Sequence, residues 1–335
     1  MTTPALYFQV PISMLDLYSE IEYTSPPISL NDNRVRRLQR SPTTPNPATG
    51  QPYQISLAGA YNQTWGYVLE VIVVGGGGGG GAGRRDRSGG AGAGGGGGGV
   101  SYGNFLVKRG NFSGSVTIGQ GGSAVASEAA GGNPGGSSVL TINSTAGSMP
   151  ITSSGGVGGQ GGENGQRNGG SGGAGSTQPG LGGSPITSSP PGVLPAAGGR
   201  GGNGLDDQSH GPQNAGSNGH QWERDLQYYG GGGGGGGDGG SPPPNGGLGG
   251  GGSGQSSGQG SPGLAGFGGG GGGGASWGNN TYNYGGNGGR GVVIIRYYNI
   301  DGVLLSIPNG STVSDGGFWI THVCNSPSPI TWVGP

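Results

Sequence analysis

The chain has 335 residues, of which 94 are glycine and only 29% are hydrophobic, with 14 basic and 15 acidic residues for a net charge of −1. That composition excludes an ordinary apolar core over the whole length, and the near-zero charge argues against charge-driven disorder. A single lysine, Lys108, leaves no electrostatic footprint for nucleic acid, and no stretch approaches the ~18 apolar residues of a membrane span.

Residues 1–50 are almost free of glycine. Two related blocks, Pro11 to Leu17 and Pro27 to Asn33, each place a Ser three residues before an Asp, a short-acid variant of the capping box. Short helices are expected at about 13–21 and 30–39. Ile12, Leu17, Ile28, Leu30 and Val35 would dock them on a partner, because so small a segment cannot bury a core of its own. The N-terminus shows no basic region followed by an apolar one, so no cleavable signal is expected. A Pro/Thr/Asn linker follows at about Ser41 to Tyr53.

The main domain opens with a β-branched run at Tyr67 to Val74 and closes with another at Gly291 to Tyr298, both strand candidates. Between them lie glycine tracts at Gly75 to Gly81, Gly94 to Gly99, Gly230 to Gly237, Gly249 to Gly252 and Gly268 to Gly274. No tract can be a stable α-helix, since each glycine costs about 1 kcal/mol relative to alanine there, and none offers side chains for a strand's buried face. A flexible linker and a packed polyproline-II-like helix remain. Triplets of the form Gly-Gly-X favour packing: Gly155 to Glu163, Gly169 to Ala174, Gly198 to Asn203 and Gly285 to Arg290 keep a three-residue register, which matches the three faces of that helix. Bare faces would then let neighbouring main chains satisfy one another.

Asn104 to Lys108 with Ser115 to Ile118 is expected as a hairpin and Ser138 to Ile142 as a further strand. Three places interrupt the glycine register: Leu205 to Tyr229, Phe267, and Ser276 to Tyr284. They carry Trp222, Arg224, Tyr228, Tyr229, Trp277, Tyr282 and Tyr284 among small polar residues, a mixture suited to recognition surfaces. The same aromatics would equally serve as an apolar lid over the tracts. The segment from Asn299 onward returns to strand-like sequence at Gly302 to Ile307 and Phe318 to Val323.

Chemical motifs are weak. Repeats such as the one around Gly90 to Gly97 match a dinucleotide fingerprint only because glycine is so common, and no helix or ribose-binding acid follows. His210, His220 and His322 form no ligand spacing with Cys324, and the lone cysteine makes no internal disulfide. Paired carboxylates such as Asp206 with Asp207 lack the apolar surroundings that shift a pKa. No cofactor, no metal and no enzymatic activity are expected.

The phrases PISMLDLY and PISLNDNRVRRL resemble segments of bacteriophage tail and tail-fibre proteins, with Leu15 where the usual pattern has Ser. The succession VVGGGGGGGAG, FLVKRG, SVTIGQGG and GGNGGRGVVIIRY, over roughly Trp65 to Tyr298, is similar to the glycine-rich domain of phage tail-fibre adhesins. That resemblance implies a mostly irregular, all-β fold: a polyglycine-II helix bundle framed by a small β-sheet, its loops binding the host. The expected layout is an attachment segment at 1–50 with short helices, a glycine-rich domain at 51–298 and a C-terminal β segment at 299–335. The expected function is a virion protein of the phage tail, extracellular after release, that acts as a receptor-binding adhesin. Its partners would be other tail proteins and a host glycan or outer-membrane protein, in a homo-oligomer such as a trimer or as the cap of a trimeric fibre. A structural tail or capsid component with the glycine domain as rigid spacer is the alternative. Glycine-rich ice-binding bundles share the composition but are typically stapled by disulfides.

Overall fold

The computed structural model describes residues 66–84, 90–108, 113–144, 147–162, 193–196, 198–202, 204, 215–237, 242–276, 283–298, 304–315, 317–325 and 328–333. The short helices expected at 13–21 and 30–39, and the attachment candidates Ile12, Leu17, Ile28, Leu30 and Val35, lie outside them. The chain divides into two units, Met1–Tyr67 and Val68–Pro335, and all the described residues except 66 and 67 fall in the second.

Two long apolar runs seed the sheets. β1 (Gly66–Val74) pairs antiparallel with β9 (Val292–Tyr298), setting Ile72 opposite Ile294 and Val73 opposite Val293. β2 (Val100–Lys108) and β6 (Val193–Ala196) extend this sheet on one side, and β12 (Phe318–Val323) and β11 (Gly310–Asp315) on the other, giving the order β11-β12-β9-β1-β2-β6. A five-stranded antiparallel sheet is built from β3 (Ser113–Thr117), β4 (Ser138–Ser144), β5 (Gly147–Ser153), β10 (Leu304–Ser306) and β13 (Ser328–Val333), in the order β10-β13-β3-β4-β5. β7 (His220–Gln221) and β8 (Tyr228–Tyr229) form a separate two-stranded ribbon.

β1 and β9, at the centre of the six-stranded sheet, are buried on both faces over residues 71–74 and 292–295, so these runs are apolar at every position rather than alternating. Leu69, Val71, Val73, Val293, Ile295 and Tyr297 look one way and are essentially inaccessible. The five-stranded sheet meets this face: the Leu305 amide donates to the Tyr297 hydroxyl at 2.8 Å, and the Ser153 hydroxyl donates to the Val73 carbonyl at 2.8 Å. Val116, Leu140, Ile142, Ile151 and Ile330 complete that layer. The opposite face, Ile72, Val74, Val100, Val292 and Ile294, is covered by Trp222 and Tyr229 from the small ribbon.

Beyond Val74 the chain runs straight into the first glycine tract, whose amides step through three neighbours in turn. Gly75, Gly78 and Gly81 donate to Gly99, Gly96 and Ala93; Gly76, Gly79 and Ala82 donate to Gly136, Asn133 and Ala130; Gly77, Gly80 and Gly83 donate to Gly289, Gly286 and Asn283, at distances of 2.8 to 3.0 Å. Its carbonyls accept from three further segments, through Gly156 and Gly159, Gly122, and Gly271 and Gly274. The tract is thus enclosed by six others. A Cβ at any position from Gly75 to Gly81 would collide with a neighbour's carbonyl oxygen, which is the physical reason the tract is all glycine. Among the described residues, buried alanines occur toward the far end, at Ala82, Ala91, Ala93 and Ala275.

This architecture corrects the expected helix bundle framed by a small sheet. Among the described residues there is no helix, and the regular elements are antiparallel strands in sheets of six, five and two. The tracts belong to no regular element and are bonded through their amides and carbonyls mainly to neighbouring segments, so the regular framework is antiparallel sheet. The framing sheet is larger than expected because the C-terminal segment joins it: β12 pairs directly with β9, setting Thr321 opposite Ile295. The expected hairpin of residues 104–108 with 115–118 does not form either. β2 and β3 belong to different sheets, and β3 pairs instead with β4 and β13.

Candidate functional site

The ribbon carrying most of the aromatic candidates is locked by local bonds. The Trp222 amide donates to the Gln227 carbonyl and the Leu226 amide to the Trp222 carbonyl, both at 2.9 Å, and Leu226 takes a left-handed φ of 60° to close the turn. Asp225 organises the inside of that turn. Its Oδ1 accepts from the Gln227 amide at 2.9 Å and its Oδ2 from the Tyr229 hydroxyl at 2.6 Å. Burial, reinforced by this bond to Asp225, pushes the Tyr229 phenol far above its ordinary pKa and keeps it a donor.

Trp222 and Tyr229 are only 4% and 3% exposed. They pack on Ile72, Val74 and Ile294, and Tyr229 stacks on Phe267 with centroids 5.5 Å apart. These two side chains therefore close the apolar face of the main sheet and are not offered to a surface ligand, which is the lid arrangement. Arg224 stays exposed but lies 3.2 Å from Glu70, which also pairs with Arg296 across β1 and β9. Arg296 in turn lies 3.5 Å over the Phe318 ring, a cation–π contact. Tyr228 stays partly exposed at the rim.

Histidine and cysteine chemistry nearby is muted. The His220 ring stacks on Tyr102 at 4.3 Å, and its buried Nε2 has no hydrogen-bond partner. Burial lowers the pKa of His220 against the opposing pull of Glu223, and lowers that of His322 against Asp225. Burial raises the Cys324 thiol, with Arg290 pulling the other way, so it is poorly ionised. Among the described residues no group of three His, Cys, Asp or Glu comes together to hold a metal ion. His210, Asp206 and Asp207 lie outside those residues.

Tyr284 sits elsewhere. Tyr229 leads into Gly230, whose amide donates to the Phe267 carbonyl beside Val74 and Gly75, at the sheet end of the tracts. Tyr284 is at the other end, next to Asn283, which accepts from the Gly83 amide. Trp277 and Tyr282 lie outside the described residues. The described candidates thus fall at opposite ends of the glycine tracts and are not brought together in one site.

Around Tyr284 the surface is concave. Residues 283–291 run between two other segments: one side is joined through the Gly260, Gly263 and Gly266 amides to the Tyr284, Asn287 and Arg290 carbonyls, the other through the Gly288 and Gly291 amides to the Gly122 and Gly119 carbonyls. Because the middle segment is mostly glycine, it forms the floor of a groove of about 290 Å³, walled by Ala124, Val125 and Ala126 on one side and Gln259 and Pro262 on the other. Asn287 Oδ1 accepts from the Ala124 amide at 2.7 Å and ties one wall to the floor. Sequence reading singled out Tyr284 but missed Gln259, Asn287 and Pro262. The available signal was the three-residue spacing of Tyr284, Asn287 and Arg290.

A family described as a glycine-rich domain matches residues 55–298. No curated protein matches the chain. Since the family match covers well over half of the 335 residues, from before β1 to the end of β9, the chain belongs to the glycine-rich domain family.

Proposed function

We propose that this protein is a bacteriophage tail-fibre or tail-tip virion protein that binds the host cell surface, a binding protein rather than an enzyme. The observation that carries this reading is the division of labour between main chain and side chains. The tracts consume their own amides and carbonyls inside the domain, while Tyr284, Gln259 and Asn287 stand around a groove at its surface. A scaffold of that kind displays recognition groups without needing them for its own stability.

Two sequence features point to the phage tail. The segment containing Ile12, Leu17, Ile28, Leu30 and Val35 resembles tail proteins and would attach the chain to its virion partners, and the order of strands and glycine tracts is similar to tail-fibre adhesins. Assembly as a homo-oligomer, or as a cap on a trimeric fibre, follows from the same resemblance.

The test is adsorption. Purified full-length chain should adhere to cells of the bacterium that supports the phage and should compete with whole phage for attachment. Failure of both would remove the adhesin reading and leave a structural spacer in the virion.

A further inference from the structure

Resting on that reading, we infer that the groove over Tyr284 to Asn287 is a saccharide site and that its ligand is a neutral sugar of the cell surface.

Among the described residues the lining contains no carboxylate, no guanidinium and no ammonium: it is Tyr284, two amide side chains, and glycine and small apolar groups. An ionic ligand entering it would lose water without gaining a counter-charge, which is costly. A neutral polyhydroxyl compound meets what the groove does offer. Gln259 supplies both donor and acceptor atoms. Asn287 Oδ1 already accepts from Ala124, so its NH2 remains to donate to a hydroxyl oxygen. The Tyr284 ring provides an aromatic surface for the C–H face of a sugar, and Pro262 and Val125 provide apolar walls.

The floor argues against an extended peptide. Strand addition needs a free main-chain edge, and here the Gly286 and Gly288 amides donate to Gly272 and Gly122 while the Tyr284 and Asn287 carbonyls accept from Gly260 and Gly263. With those main-chain groups already bonded, recognition falls mainly to the side chains that line the groove. At about 290 Å³ the groove is near the lower limit for small-molecule sites, suited to a short stretch of sugar rather than a folded loop.

The experiment uses the full chain and saturation-transfer NMR with glucose, galactose, N-acetylglucosamine and sialic acid as probes, alongside adhesion to untreated, periodate-oxidised and protease-shaved host cells. The expected result is transfer to the ring protons of at least one neutral sugar and none to sialic acid, weakened about tenfold by Tyr284→Ala. Replacing the exposed Gln259 by alanine should weaken it as well, while Tyr228→Ala at the other end of the tracts should not. Periodate should abolish adhesion. Transfer to sialic acid alone, no transfer to any probe, or transfer undiminished in both the Gln259→Ala and Tyr284→Ala variants would overturn the inference. Cells bound after periodate but not after protease would overturn it while leaving the adhesin reading intact. Sugar binding without adhesion would do the reverse.

Discussion

Gly77 lies in the tract enclosed by six others, and replacing it by alanine tests most directly whether main-chain contact holds the tracts. Its amide donates to the Gly289 carbonyl at 2.9 Å and its carbonyl accepts from the Gly122 amide at 2.8 Å. A Cβ there would strike the Gly269 carbonyl and come within 2.7 Å of the Gly270 nitrogen, both backbone atoms of an enclosed segment. Relief requires moving a tract that is itself bonded on other sides. Overpacking of this kind costs about 1–3 kcal/mol, and stretching one buried amide away from its partner adds about 1–3 kcal/mol. The gain from a stiffer unfolded chain returns only about 0.4–1 kcal/mol. A net loss of about 3 kcal/mol lowers Tm by roughly 6–12 °C for a domain of this size. Gly90 is the control: its Cβ would meet nothing closer than the Gly162 Cα at 3.6 Å, so Gly90→Ala should be neutral or slightly stabilising. Thermal unfolding followed by near-ultraviolet circular dichroism measures both. A Gly77→Ala protein that melts within about 2 °C of the parent, or a Gly90→Ala protein equally damaged, would refute the claim that tract positions are held by lateral main-chain contact.

Trp222→Ala should cost about 3–5 kcal/mol, the usual loss for a large buried aromatic, and open the ribbon to protease between residues 222 and 227. A variant as resistant as the parent would show that the ribbon does not close the sheet. Glu70→Gln leaves Arg224 and Arg296 without their shared carboxylate and should destabilise by about 2 kcal/mol, with a smaller effect at high salt because Arg224 is partly exposed. Chemical denaturation at two ionic strengths checks it. For pH, both His220 and His322 have folded-state pKa values lowered by burial, so the unfolded chain binds more protons near and below pH 6.5. Stability is complete above that value and declines as pH falls through the unfolded pKa toward the folded ones. Tm scanned from pH 8 to 5 should fall, and a His220→Phe, His322→Phe double variant should flatten that part of the curve.

The strands that bracket the tracts were legible because β-branched runs such as Val71 to Val74 and Val292 to Ile295 have few alternatives in a glycine-rich chain. The spacing of Gly-Gly-X triplets likewise coincides with the three-residue step of the lateral bonds. What the residues do not disclose is which tract meets which. Gly76 bonds to Gly136 and Gly77 to Gly289, yet glycines carry no side chain to encode a partner, so the sequence suggested a helix bundle where the regular framework is antiparallel sheet. The expected hairpin of residues 104–108 with 115–118 failed for a related reason. Proximity in sequence favoured pairing, but the apolar face of β3 is buried in the five-stranded sheet alongside Leu140 and Ile330. Among the candidate site residues, Trp222 and Tyr229 looked identical in kind to Tyr284. Their difference arises from the apolar face of Ile72, Val74 and Ile294, which had to be covered by something, and the ribbon was the segment within reach.

A fold held in this way separates positions that set stability from positions that set recognition, and neighbours in the sequence can belong to opposite classes. Gly159 and Gln160 make the contrast sharp. The Gly159 amide donates to the Gly79 carbonyl at 2.8 Å, and a Cβ on it would collide with the Ala93 carbonyl. Gln160 is exposed and contributes to the lattice only its own carbonyl, which accepts from the Ala93 amide at 2.9 Å and would be unchanged by any side chain. Gln160→Lys should therefore leave Tm within about 1 °C, as surface substitutions usually do, while Gly159→Lys should unfold the domain or prevent its accumulation. In an apolar core the tolerated changes are those that conserve volume; here they are those that keep glycine inside and leave the outer row free. Equal sensitivity at the two positions would mean that side chains, not main-chain bonds, hold this part of the molecule together.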